Sequence, residues 1–124
     1  MPSPVVVEVP PRPEHAHVLR SVVASVAARL DLPLDSIEDL KIAVDEVVTH
    51  LMTTGGTVLR MEVLAGPTGI QVTTSTDAPE APWPPEGFEA SLTWQVLTGL
   101  TDDASFGVDG GPILRFTKRA HVHG

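Results

Sequence analysis

Ile37-Glu38-Asp39-Leu40-Lys41-Ile42-Ala43-Val44-Asp45-Glu46-Val47-Val48-Thr49-His50-Leu51 carries the cleanest periodicity in the chain. Ile37, Leu40, Val44, Val47 and Leu51 recur at spacings of three and four, so they share one face of an α-helix. Asp35 or Ser36, just ahead of this stripe, can cap the exposed backbone N–H groups, and Gly55-Gly56 ends the helix. Upstream, Ala16, Leu19, Val23, Val26, Ala27 and Leu30 form a similar stripe after Pro13, a residue suited to a first helical turn. That helix stops before Pro33, because a residue preceding proline is pushed out of the helical region.

On either side of this helical pair the period changes to two. Val5-Val6-Val7-Glu8-Val9, closed by Pro10-Pro11, is a β-branched run and reads as a first strand. Residues 57–63 and 70–76 alternate apolar and polar side chains around the turn Gly66-Pro67-Thr68-Gly69, which predicts an antiparallel hairpin. Residues 77–90 hold four prolines and four acidic residues, so they form a loop, and a loop of that length in a small domain is usually functional or disordered. A short helix with Leu92, Val96, Leu97 and Leu100 on one side follows. Strands near 104–108 and over 112–118 flank Asp109-Gly110-Gly111, and a frayed tail begins at Arg119. The order strand, helix, helix, hairpin, loop, helix, hairpin predicts a two-layer α/β sandwich, with helices on one face of a mixed, mainly antiparallel sheet.

The 124 residues make one domain with one core, and its 42% hydrophobic fraction is ordinary for a globular protein. A net charge of −8 repels a phosphate backbone, and two Trp, three Phe and no Tyr are few for stacking on bases. Direct nucleic-acid binding is therefore not expected, whereas a basic protein partner is compatible with the charge. The absence of cysteine removes thiol chemistry and disulfides. No basic-then-apolar leader and no apolar run of about 20 residues is present, so a cytoplasmic protein with no membrane contact is expected.

Ala43-Val44-Asp45-Glu46-Val47-Val48-Thr49-His50, together with Trp94-Gln95-Val96-Leu97-Thr98-Gly99-Leu100-Thr101-Asp102-Asp103 and the closing run from Ile113 to Arg119, resembles the anti-sigma-factor serine-kinase branch of the GHKL (histidine-kinase-like) ATPases. The resemblance runs from Val5 to about Lys118. It implies a regulator that binds a sigma factor and a STAS-domain anti-anti-sigma protein, often phosphorylating the latter on serine. It also implies a homodimer, with ATP and magnesium held between the second helix, the loop after the hairpin and a lid.

Matching motif to residue gives an incomplete nucleotide site. The family's helical Glu and Asn, four residues apart, fall on Glu46 and His50; Glu46 is the candidate catalytic carboxylate, while imidazole is a poor substitute ligand for magnesium. The alternative is an ordinary helix-surface pair. The adenine-reading Asp falls on Thr76 with Asp77 one residue away, and the accompanying glycines fall on Ala78 and Glu80. The phosphate-cradling Gly-x-Gly falls on Ser91-Leu92-Thr93, where Ser91 can instead cap the short helix. Glu46, His50, Asp77, Ser91 and Thr93 are thus candidate nucleotide contacts in a degenerate site. Tight ATP binding is not expected, ATP and magnesium being the cofactors if the site still works, and no separate metal site is expected.

Arg20 matches an arginine through which family members contact partners, a solvated surface arginine being the alternative. Trp83, flanked by prolines, is a second candidate partner contact unless it folds back onto the core. His121-Val122-His123 has a spacing that can hold a metal weakly, without a third ligand. These features point to an anti-sigma-like regulator acting by protein binding. An active serine-protein kinase and a dimerising scaffold with unrelated partners are the alternatives.

Overall fold

The computed structural model describes residues 3–80 and 82–120. Strands β1 (Val5–Val9), β2 (Leu59–Gly66), β3 (Gly69–Thr76), β4 (Asp103–Val108) and β5 (Pro112–Arg119) form one sheet in the order β1-β2-β3-β5-β4. Every neighbouring pair is antiparallel, with Val5 opposite Val63, Leu59 opposite Thr76, Val72 opposite Phe116 and Phe106 opposite Leu114. The sheet is therefore not mixed: two of its four pairings, β2 with β3 and β4 with β5, are hairpins, and the longer connections that pair β1 with β2 and β3 with β5 also give antiparallel neighbours. Helices α1 (Ala16–Arg29), α2 (Leu34–Leu51) and α3 (Leu92–Leu100) supply the second layer.

Alternation in the strands determines which face meets the helices. Leu59, Met61 and Val63 of β2, Ile70 and Val72 of β3, and Leu114 and Phe116 of β5 are buried, whereas their sequence neighbours Arg60, Glu62, Thr73 and Arg115 are not. From the helices, Leu19 and Val23 of α1 and Leu40, Val44, Val47 and Leu51 of α2 are fully buried against this face. Burying each such side chain contributes roughly 1.5–3 kcal/mol, so the α2 stripe is a principal source of stability.

Two local expectations are corrected. Helix α2 starts at Leu34 after Pro33, with no side-chain cap; Ser36 already lies inside the first turn and is buried. The preceding turn places Asp31 at φ 54°, a left-handed conformation that Asp tolerates better than most residues, and Asp35 falls within the first turn of the helix instead of at its cap. Leu92, expected on the buried side of α3, is 72% exposed, and Leu97 is the residue of that helix that is fully buried. Leu92 is the first residue of this nine-residue helix, where the chain enters from the exposed Glu89 and Ala90.

Strand β5 also runs further than expected. Arg119 is paired opposite Gly69, its backbone N–H donates to the Asp102 carboxylate at 2.6 Å, and its guanidinium meets Asp103 at 2.9 Å. The His121-Val122-His123 segment lies outside the described residues. Lys118 ties the layers together, donating to Asp39 of α2 at 3.2 Å and to the Leu100 carbonyl at the end of α3 at 2.8 Å. Gly111, at φ 151°, lies where any Cβ would collide with the backbone carbonyls of Thr76 and Ala78. That close approach holds the β4–β5 turn against the end of β3, beside the candidate site.

Candidate functional site

The C-terminal half of α2 carries Glu46 and His50 one helical turn apart, and their outer sides meet the start of α3. Thr93 donates its hydroxyl to Glu46 Oε1 at 3.2 Å and stands 3.5 Å from His50 Nδ1. Three of the candidate residues therefore converge although 47 positions separate Glu46 from Thr93. Ser91 does not join them. Its hydroxyl donates to the Phe88 carbonyl at 2.5 Å and accepts from the Trp94 N–H at 3.2 Å, which makes it the N-cap of α3.

Asp77 has a structural position of its own. One carboxylate oxygen accepts from the backbone N–H of Thr57 at 2.6 Å and of Val58 at 3.0 Å, and the other accepts from the Thr57 hydroxyl. The Thr57 hydroxyl, followed by the Val58 and Thr57 amides, lowers the carboxyl from its ordinary 3.8 to about 2. Asp77 thus clamps the segment entering β2, with both carboxylate oxygens engaged by Thr57 and Val58. Thr76, at the position corresponding to the family's adenine-reading Asp, is buried, shares a 3.1 Å hydrogen bond with Thr54 and accepts from the Ala78 N–H at 3.3 Å.

Trp83 and Phe88, from the segment between β3 and α3, pack against His50 in this region. Trp83 sits edge-on to His50 with ring centroids 5.7 Å apart, and Phe88 lies 5.1 Å from the same ring. Phe88 is buried and continues the cluster to Trp94 and Phe106, with centroids 5.8 and 5.1 Å away. Trp83 donates its indole N–H to the Gly107 carbonyl of β4 at 2.8 Å, so it is folded onto the body of the protein and half-buried. Burial lowers the pKa of His50 from the ordinary 6.5, an effect that Glu46 opposes only in part.

Between Trp83, the α2 end and the β4–β5 turn lies a cavity of about 260 Å³ lined by His50, Thr53, Thr54, Pro79, Pro82, Trp83, Pro85 and Pro112. None of the eight Lys and Arg residues lines it. Among the described residues there is also no cluster of three or more His, Asp and Glu arranged to hold a metal.

Arg20 stands away from this region on α1. Its guanidinium donates to Asp45 Oδ1 of α2 at 2.5 Å, with about a third of the Arg20 side chain exposed. The pair cross-links α1 and α2 beside Glu46 in sequence, and leaves guanidinium donors facing solvent. Sequence reasoning did not assign Thr53, Thr54, Phe88, Phe106 or the lining prolines to the site. Phe88 in particular sits in a loop with no periodicity to announce its burial.

No family model matches the chain. In fold, it is similar to the crystal structure of the RsbU and RsbW domains of a Mycobacterium tuberculosis protein, with a TM-score of 0.69 and 17% identity over 95% of this chain and 32% of that one. What the two share is the fold, helices packed on an antiparallel sheet. In sequence, it is 29% identical over 103 residues to the anti-sigma-F factor RsbW of M. tuberculosis, covering 80% of this chain and 58% of the relative. It is 44% identical over 43 residues to the serine-protein kinases RsbW of Oceanobacillus iheyensis and Bacillus subtilis, covering 35% of this chain and 27% of each relative. In sequence the chain is thus similar to proteins named as anti-sigma factors and serine-protein kinases, and in fold to a structure that holds an RsbW domain. The chain spans about three-fifths of the length of the M. tuberculosis relative.

Proposed function

We propose that this chain is an anti-sigma regulator that works by holding a sigma factor and is released by a STAS-domain anti-anti-sigma protein, with nucleotide binding weakened or lost. The observation that carries the reading is the packing of Trp83 and Phe88 beside the His50 ring. That arrangement fits poorly with a triphosphate and magnesium. No cation lines the cavity, the Asp77 oxygens are engaged by Thr57 and Val58, and an imidazole and one carboxylate make a poor oxygen set for magnesium. Arg20 is the residue we assign to partner contact, its exposed donors suiting a partner carboxylate. In this reading the protein is cytoplasmic and a homodimer, and no helix among the described residues is long and apolar enough to cross a membrane.

Calorimetry with purified sigma-factor and STAS-domain candidates tests the proposal. A stoichiometric complex formed without nucleotide supports it, and complexes that require ATP overturn it.

A second reading, an ATP-dependent serine-protein kinase, has one specific observation in its favour: Glu46, His50 and Thr93 still converge. Glu46→Ala separates the two. It abolishes ATP-dependent phosphorylation of the STAS protein if the chain is a kinase, and leaves the nucleotide-free complex unchanged if it is not.

A further inference from the structure

The cavity beside His50 has a chemistry of its own. Its walls are Trp83 and four prolines, among them Pro82 and Pro112, and its polar groups come from His50, Thr53 and Thr54. No Asp, Glu, Lys or Arg lines it, so an ion entering it would lose hydration without gaining a partner. A volume of about 260 Å³ is just below the range of drug-sized sites and suits one ring or two fused rings. A tryptophan face and proline rings make flat apolar walls, which favour a planar guest.

The hydrogen-bonding polarity follows from proton counting. Thr93 has one hydroxyl proton and gives it to the Glu46 carboxylate, which leaves its oxygen to accept from His50 Nδ1–H. A neutral imidazole protonated on Nδ1 presents Nε2 as an acceptor, and burial favours the neutral form. The Thr53 hydroxyl donates to the His50 carbonyl at 2.6 Å, and the Thr54 hydroxyl donates to the Leu51 carbonyl at 2.7 Å. Having given its proton to Leu51, the Thr54 oxygen accepts from the Thr76 hydroxyl at 3.1 Å, so Thr53 is the hydroxyl whose oxygen is left to accept from a ligand. The polar groups of this cavity are acceptors, and they call for a ligand that donates.

We infer that the cavity between Trp83, His50 and Thr53 is a binding site for a small, uncharged, planar aromatic molecule bearing one N–H or O–H donor. This assignment rests on the proposed loss of nucleotide binding, because it gives the same region a different occupant. A ligand wedged against Trp83 would tie the state of residues 77–90 to a small molecule in place of a triphosphate.

The test uses the full chain, labelled with ¹⁵N at tryptophan, whose two indole N–H resonances are assigned with Trp94→Phe. Indole and phenol serve as probes and benzoate as the charged control. Both neutral probes are expected to shift the Trp83 resonance saturably, with dissociation constants on the order of 0.1–1 mM, and to leave Trp94 in place. Benzoate is expected to bind at least about tenfold more weakly. Thr53→Phe, which fills the cavity from an exposed position, is expected to weaken indole by at least about tenfold at an unchanged thermal midpoint. Thr53→Val, which keeps the shape and removes an acceptor, is expected to weaken it by a few-fold. No shift up to the solubility limit of indole, equal unsaturable shifts at both tryptophans, or indifference to Thr53→Phe would each overturn the assignment. If neither indole nor magnesium-ATP moves Trp83, the cavity assignment falls and the proposed function stands. If magnesium-ATP displaces indole, the loss of nucleotide binding is what fails.

Discussion

Trp83, in the proline-rich segment after β3, donates its indole N–H to the backbone carbonyl of Gly107 on β4 at 2.8 Å. This bond fastens a segment without regular structure to the sheet, and it sets the side chain beside His50. Trp83→Phe keeps most of the apolar contact and deletes the bond, so it is expected to cost about 1 kcal/mol in urea denaturation. Trp83→Ala also removes the packing on His50 and Phe88 and is expected to cost more, roughly 2–3 kcal/mol for a half-buried ring. Equal stability of all three proteins would mean that the segment is not held in this way.

Asp77 is expected to make the fold acid-sensitive. Its folded-state carboxyl lies near 2, below the ordinary 3.8. The unfolded chain therefore takes up the proton first, and the contribution of Asp77 is present above about 3.8 and lost as pH falls toward 2. Asp77→Asn is expected to be less stable at neutral pH and to show a shallower decline across that window. A variant whose stability parallels the wild type from pH 5 to 2 would show that Asp77 does not clamp Thr57 and Val58 in solution.

His50 acts in a different window. Burial depresses its folded-state pKa below 6.5, so its stabilising neutral form is fully favoured above that value and stability falls as pH drops through it. His50→Gln is expected to flatten the slope of unfolding free energy between about pH 6.5 and 5. An unchanged slope would mean that the ring protonates as freely in the folded protein as in the unfolded one.

How far these relationships were legible in the sequence differs by element. The stripe from Ile37 to Leu51 identifies α2, because a 3.6-residue period is a property of neighbours in the chain. The strands β1, β2 and β3 were readable for the same reason. The capping role given to Asp35 and Ser36 failed because the helix starts at Leu34, directly after Pro33, which puts both residues inside its first turn. At the site, the pairing of Glu46 with His50 was visible as an i, i+4 spacing, whereas its closure by Thr93 depends on how α3 docks. The clamp made by Asp77, the burial of Phe88 and the fastening of Trp83 are long-range contacts, and no local pattern encodes them.

Arg20 allows stability and binding to be separated. Its pair with Asp45 is partly exposed, so Arg20→Ala is expected to change folding stability by no more than about 1 kcal/mol. The same substitution is expected to weaken the complex with the regulated partner at least about tenfold, as a buried guanidinium anchor would. An affinity that is unchanged at unchanged stability would remove Arg20 from the interface.

The proposed regulation by protein binding without nucleotide is checked most sharply by titrating the folded protein with magnesium-ATP. Isothermal calorimetry is expected to give no saturable heat up to millimolar nucleotide, while the sigma-factor or STAS complex forms with equal affinity with and without it. Micromolar binding of magnesium-ATP that disappears in Glu46→Ala would contradict the account.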